Sequence, residues 1–372
     1  MIQERNKYYD TYIGMLLSHK CNLNCRYCYI PQKKDIVLSL EIAQQILTGY
    51  LELEDAEPIE IDFMGAEPLT AFDRMREIVE WTKERKFPRE YFFFATTNGT
   101  LLDDGMKEWF TQNKDIVVLG LSYDGTDASQ DSNRSGSSGK IDLDFFLRTW
   151  PEQVFKCTIT QQSVGELADG IIRLAGMGAG VTANPAFEKT EWSRESIETY
   201  AVQLRRIVDY YAAHPDAPVA SLVDHDLIGI YARRDMKQGA NCGASKGAGI
   251  YDTTGYSYPC QMLSPLVIDE KKAREIQQLI LQTDESAYAD RKCAGCILRN
   301  DCPTCMATNY LARNVFSLRD TTHCVLTRLE VLATCILQKT RLLAKSEHDK
   351  QDALMAAAIC EIYDRVRCFT LT

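Results

Sequence analysis

The first 215 residues carry two rhythms of apolar and polar positions. Residues 12–17 form a nearly unbroken apolar run, and Ile59-Glu60-Ile61-Asp62-Phe63 alternates with period two, so both predict β-strands. Residues 40–53 instead show helical spacing. Ser39 stands at the N-cap position, and Glu41 lies in the first turn, where the helix dipole favours negative charge. Further strands are predicted at 91–96, 116–122, 154–160 and 180–183. Helices are predicted at 71–85, 103–112 and 164–177, a short one ends over 145–150, and Ser193 caps a long one reaching His214. Six strands alternating with helices imply an α/β fold with parallel strands and right-handed crossovers. A full barrel would need eight.

From Ala240 the pattern changes to glycine- and cysteine-bearing loop, and amphipathic helical stretches follow at 325–345 and 352–367. Residues 135–139 (Ser-Gly-Ser-Ser-Gly) read as a flexible loop and a candidate lid. The chain has 372 residues, 45% apolar and 25% charged, which suits a barrel-sized domain plus a smaller one. Residues 1–7 are polar and no run approaches 18 apolar residues, so no signal peptide or membrane partner is expected, and the protein is expected in the cytoplasm. A net charge of −10 argues against nucleic acid as the main partner, because phosphate binding needs a basic face.

Fourteen cysteines in such a chain point to metal or redox chemistry rather than a disulfide frame. Cys21, Cys25 and Cys28, spaced C-x3-C-x2-C, directly follow the first strand. Thiolates hold iron–sulfur clusters, and a [4Fe–4S] cubane has one more iron than this loop has ligands. The open iron offers a substrate site, as a catalytic zinc keeps an open position. Read as residues alone, the three could also be zinc ligands awaiting a distant fourth, or small core residues. With Tyr27 before the third cysteine, the segment resembles the radical S-adenosylmethionine (SAM) superfamily. The resemblance implies a [4Fe–4S] cluster on Cys21, Cys25 and Cys28, SAM as cosubstrate, and an open (βα)6 partial TIM-like barrel rather than a doubly wound sheet.

In parallel βα architectures the chemistry sits at the C-terminal ends of strands. After the second strand, Met64-Gly65-Ala66-Glu67-Pro68 is similar to the family's Gly-Gly-Glu-Pro segment, with alanine for the second glycine. The resemblance implies that Gly65, Ala66, Glu67 and Pro68 hold the SAM ammonium. The third strand ends in Thr96-Thr97-Asn98-Gly99-Thr100, where Asn98-Gly99 is a turn signal, and Thr97 and Asn98 join the candidate contacts. Ser122-Tyr123-Asp124-Gly125 and the downstream Asp131-Ser132-Asn133-Arg134 resemble the Ser-Leu-Asp-Gly and Asp-x-x-Arg stretches of peptide-modifying members. That implies Ser122, Asp124 and Arg134 near the SAM ribose and carboxylate. The residue types suit a zwitterion: an acceptor for the amine, a guanidinium for the carboxylate, small polar groups for the hydroxyls.

The second cysteine set is Cys242, Cys260, Cys293, Cys296, Cys302, Cys305 and Cys324, in the order C-x12-G-x4-C, C-x2-C-x5-C-x2-C and C. It looks like the SPASM extension of radical SAM proteins, with the loop between Cys302 and Cys305 one residue shorter than usual. A zinc ribbon is the residue-level alternative. The resemblance implies two auxiliary [4Fe–4S] clusters, one on Cys293, Cys296, Cys302 and Cys324, the other on Cys242, Cys260 and Cys305. A fourth ligand for the latter could be Cys157 or Asp235, or one iron is open. Where sulfatase maturases carry an aspartate base after the cysteine matching Cys260, this chain has Gln261, which cannot take a proton at neutral pH. Cys335, Cys360 and Cys368 read as core or surface residues, with one of them the candidate hydrogen donor of an epimerase.

Together these readings divide the chain into a radical SAM partial barrel (1–215), a helical linker (216–239), a small cysteine-rich SPASM-like domain (240–330) and C-terminal helices (331–372). The function implied is a radical SAM oxidoreductase that abstracts a hydrogen atom from a ribosomally made peptide and installs a thioether or carbon–carbon crosslink. The expected partners are a peptide substrate with a leader, recognised by the barrel surface or a partner chain, and a reductant such as flavodoxin or ferredoxin. The alternatives are a sulfatase-type maturase oxidising Ser or Cys, a peptide epimerase, and a non-catalytic iron–sulfur electron carrier.

Overall fold

The apolar run at the start becomes β1 (Tyr12–Ser18), a central strand buried on both faces. β2 (Ile59–Gly65) lies parallel to it, with Ile59, Ile61 and Phe63 buried on one face as the alternation requires. β3 (Tyr91–Thr97) and β4 (Val117–Leu121) extend the sheet in parallel. The computed structural model describes residues 12–54, 57–186, 192–232, 244, 249–283, 285–288, 290–299, 301–302 and 304–366. On the other edge of β1 the cysteine-rich region adds β7 (Ile250–Tyr251), parallel to β1, and β8 (Ser257–Tyr258), antiparallel to β7. The order is β4-β3-β2-β1-β7-β8. The turn between the last two is set by Asp252, whose Oδ1 accepts from the backbone N–H of Thr254 (2.8 Å) and Tyr256 (3.1 Å).

Helices connect the strands as the sequence predicts: α1 (Leu40–Leu51), α2 (Phe72–Arg85) and α3 (Asp104–Gln112). Ser39 caps α1 by accepting the Ile42 N–H at 3.2 Å. A short α4 (Asp127–Asn133), which the apolar pattern does not predict, is capped by Thr126, and α5 (Leu143–Thr149) follows. β5 (Phe155–Ile159) and β6 (Val181–Pro185) pair in parallel, with α6 (Leu167–Gly176) between them. α7 (Arg194–Ala213) is capped by Ser193 as expected. All six expected strands therefore form, in an α/β arrangement dominated by parallel pairing.

The chain divides into two compact units. The first holds Met1–Ser122, Ser137–Gln153 and Cys242–Asp284; the second holds Tyr123–Gly136, Val154–Asn241 and Glu285–Thr372. Between the cysteines, where loop was expected, lie α9 (Glu270–Gln282) in the first unit and α10 (Met306–Arg313) in the second. The second unit also contains α8 (Leu227–Tyr231), α11 (Thr321–Ala344) and α12 (Lys350–Val366). Its core gathers Leu227, Ile230, Leu298, Val331, Cys335 and Ile362. No helix among the described residues is long and apolar enough to cross a membrane.

Candidate active site

The cysteine triad lies on the loop that leaves β1. Its far end is pinned back to the strand: the His19 N–H donates to Ile36 O (2.9 Å), Lys34 N–H to His19 O (3.1 Å) and Leu38 N–H to Leu17 O (2.9 Å). Leu23 and Ile30 are buried, and Ile30 packs with Leu16, Ile250 and Leu266. The loop is thus anchored by apolar side chains while Cys21, Cys25, Tyr27 and Cys28 stay half-buried, and none of the three cysteines is in a disulfide. The Cys28 N–H donates to Cys25 O (3.0 Å), and the Leu23 N–H to Cys21 Sγ (3.4 Å). Burial pushes the Cys21 thiol up to about 11, opposed by that N–H and reinforced by Glu67, Cys25 and Cys28. Metal ligation requires thiolates and releases their protons. Among the described residues no three His, Cys, Asp or Glu groups converge as ligands of one ion. The donor set of the triad suits a multi-iron cluster, whose thiolates bind separate irons.

The end of β2 is sewn onto this loop. The Ala66 N–H donates to Ser18 O (2.9 Å) and the Glu67 N–H to Lys20 O (2.8 Å), immediately before Cys21. Gly65 makes the approach possible: its φ is +139°, and a Cβ there would stand 2.1 Å from Ser18 O. Pro68 is buried and opens the short helical turn Pro68–Ala71. Glu67 is 2% exposed. Its Oε1 accepts from the Thr97 hydroxyl (2.7 Å) and the Leu69 N–H (3.1 Å), and its Oε2 from the Asn98 N–H (2.8 Å). A carboxylate accepts through both oxygens, and both are engaged within the protein. Expected as a ligand contact, Glu67 is first a clasp between the ends of β2 and β3.

Asn22, to which no role was assigned from the sequence, carries a second clasp. Its Oδ1 accepts from Asn98 Nδ2 (3.0 Å) and its Nδ2 donates to the Thr100 hydroxyl (2.7 Å). Asn98 Oδ1 in turn accepts from the Thr100 N–H at 3.0 Å. Two asparagines in the stretch between Cys21 and Cys25 were the available signal. Ser122, half-buried at the end of β4, donates its N–H to Thr97 O (2.9 Å). Cys260 lies in this same unit, just after β8, and its Sγ accepts from the Met262 N–H (3.4 Å). The next residue, Gln261, donates its side-chain amide to the Tyr29 hydroxyl.

Within the second unit, Asp124 and Arg134 are both buried and paired. Asp124 Oδ1 lies 3.1 Å from Nε and from Nη2 of Arg134, and it also accepts from the Thr158 N–H at 3.0 Å. Asn133 Nδ2 donates to Asp124 Oδ2 at 3.0 Å. Cys157, on β5, is buried beside Asp124 and Tyr200 of α7, and burial pushes its thiol far up. Cys293, Cys296, Cys302 and Cys324 stand within electrostatic reach of one another. Cys305 is the N-cap of α10, where Sγ accepts from the Thr308 N–H (3.5 Å). Cys335 is buried in the core and Cys360 is exposed. Cys242, Asp235 and Cys368 lie outside the described residues.

The site is therefore a cysteine triad on the loop after β1, braced by the ends of β2 and β3. Residues 15–144 match the model of the radical SAM superfamily. Over 134 residues, 34% of the chain, it is 33% identical to a serine-type anaerobic sulfatase-maturating enzyme of Klebsiella aerogenes. It is 22% identical over 261 residues, 66% of the chain, to the subtilosin biosynthesis protein AlbA of Bacillus subtilis. The matched stretches span 33% and 54% of those relatives. The fold is similar to that of anSMEcpe with bound AdoMet and the Cp18Cys peptide: TM-score 0.63, 16% identity, covering 89% of this chain and 99% of that one.

Proposed function

We propose that the chain is a SPASM-type radical SAM oxidoreductase that modifies a ribosomally made peptide, installing a thioether or carbon–carbon crosslink. The observation that carries this reading is the backbone seam between Ala66-Glu67 and Ser18-Lys20, which sets two motifs of the family side by side in one unit. Cys21, Cys25 and Cys28 would hold the [4Fe–4S] cluster. Gly65, Ala66, Glu67, Pro68, Thr97, Asn98 and Ser122 are proposed as SAM contacts on their strand-end positions, and Tyr27, Asp124 and Arg134 on their motifs. When bound, the cluster and SAM supply a 5′-deoxyadenosyl radical for hydrogen abstraction.

The chain's own part is to position that chemistry. The Glu67 and Asn22 clasps hold three strand ends rigid about the cysteine loop, and preorganisation of this kind places reacting atoms. Gln261 offers no proton acceptor at neutral pH and is hydrogen-bonded to Tyr29, which supports crosslinking over base-dependent oxidation of serine or cysteine. Cys293, Cys296, Cys302 and Cys324 are proposed to hold one auxiliary [4Fe–4S] cluster and Cys242, Cys260 and Cys305 to contribute to another. The peptide, a leader on it, and a flavodoxin or ferredoxin reductant are the proposed partners.

The test is anaerobic reconstitution of wild type beside the Cys21/Cys25/Cys28 triple alanine variant. At four irons per cubane, about 12 irons per chain fall to about 8, and only wild type forms 5′-deoxyadenosine. About 4 irons without SAM cleavage would overturn the reading. Loss of hydrogen mass from a short cysteine-bearing peptide encoded beside the gene would then identify the substrate.

A further inference from the structure

Cys293, Cys296, Cys302 and Cys324 of the second unit are each placed by a separate local device. Asp290 Oδ1 accepts the Lys292 N–H (2.9 Å) and so caps the turn that ends in Cys293, whose carbonyl accepts the Cys296 N–H (3.0 Å). The Cys302 N–H is held by Leu298 O at 2.8 Å. Asp320 caps α11, whose first turn carries Cys324. Between the last loop and that cap stands Arg319. Its Nη1 lies 3.3 Å from Cys302 Sγ, and its N–H donates to Asp290 Oδ2 at 3.4 Å. Its Nε is buried without a hydrogen-bond partner among the described residues.

The Arg319 guanidinium is within electrostatic reach of Cys293, Cys302 and Cys324, and Arg328 also reaches Cys324. Arginine has five donors and no acceptor, and it keeps its charge at any working pH. One cation facing three cysteines, with one sulfur already within hydrogen-bond distance, is a fixed positive field on that cysteine group.

We propose that Arg319 is a positioning residue that holds the Cys302 sulfur and raises the reduction potential of the cluster on Cys293, Cys296, Cys302 and Cys324. This rests on the reading that these four cysteines hold an auxiliary cluster. Reduction adds negative charge, and a donor and a cation at a ligand sulfur stabilise the reduced form more than the oxidised one. The effect reaches the reaction through the ease with which this cluster takes an electron.

The experiment uses the full chain with Cys21, Cys25 and Cys28 replaced by alanine, so that only auxiliary clusters remain. Arg319→Met, Arg319→Lys and Cys302→Ala are compared with this parent by iron content and by redox titration followed by electron paramagnetic resonance. The signal lost in Cys302→Ala identifies the cluster concerned. The expected result is parental iron in both arginine variants, with its midpoint lowered in Arg319→Met and lowered less in Arg319→Lys. A tenfold loss of the reduced form at fixed potential corresponds to about 59 mV for one electron. Iron lost in Arg319→Met but kept in Arg319→Lys also supports the proposal. Retained iron with an unmoved midpoint overturns it, as does equal iron loss in both. Parental iron in Cys302→Ala instead overturns the cluster assignment itself.

Discussion

Gln261 donates its side-chain amide to the hydroxyl of Tyr29, the residue that follows Cys28. The two are 232 positions apart, and the bond ties the segment after Cys260 to the loop of the cysteine triad. Gln261→Leu removes the donor, and Tyr29→Phe removes the acceptor. Each is expected to destabilise the protein by about 1 kcal/mol. Because the partners act as a pair, the double variant should lose little more than either single one. Urea midpoints of the three variants check this, and full additivity would show that the bond contributes nothing to the fold.

Gly65→Ala is expected to disrupt the site. The backbone φ of +139° disfavours any side chain, and the new Cβ would meet Ser18 O, a backbone atom that cannot swing aside. Loss of the seam to Ser18 and Lys20 should exceed about 3 kcal/mol, at the upper end of single-substitution effects. Reconstituted Gly65→Ala should hold less iron on the triad. Wild-type iron and an unchanged melting temperature would contradict the account of the seam.

His225 makes stability depend on pH. In the second unit its Nδ1 lies 2.7 Å from Asp301 Oδ2 and its Nε2 3.5 Å from Glu330 Oε2, while the Tyr200 hydroxyl donates to Glu330 at 2.6 Å. Burial opposes the imidazolium, but the two carboxylates outweigh it and push the group up to about 9. The folded value lies above the unfolded one, so the stabilisation is complete below about 6.5 and is lost as pH rises toward 9. Its size is on the order of 3 kcal/mol. Denaturation midpoints measured from pH 6 to 9.5 should decline in wild type, and this part of the decline should vanish in His225→Gln.

Cys157 is expected to be dispensable for metal. It is buried against Tyr200 and Asp124, and its thiol is held protonated by burial. Cys157→Ala should keep parental iron, whereas Cys302→Ala should lose about four irons. A fall in iron in Cys157→Ala would make Cys157 the missing fourth ligand of the cluster assigned to Cys242, Cys260 and Cys305.

Much of the first half is legible because strand and helix periods arise from neighbours in sequence. All six strands appear within a few residues of their predicted bounds, and Ser39 and Ser193 cap the helices they were read to cap. The hairpin of β7 and β8 escaped because strands of two residues carry no period. α10 escaped because its N-cap is Cys305, a residue outside the usual capping set. α9 did leave a signal, Asp269 before Ala273, Ile276 and Ile280 at helical spacing, which the surrounding cysteines obscured.

The amino-acid sequence alone determined the chemistry on offer and the architecture that displays it: thiolates at cluster spacing after a first strand, acidic and glycine-bearing turns at the next strand ends, and a rhythm that demands parallel order. These depend on residue type and on short-range spacing. Only the tertiary structure decided what each polar group does with its hydrogen bonds. It put Glu67 onto Thr97 and Asn98, Asn22 onto Asn98 and Thr100, and Gln261 onto Tyr29, and in the second unit it aimed Arg319 at Cys302. Such partners are set by how the packed elements bring distant side chains together, and a buried polar group left without one costs about 1–3 kcal/mol.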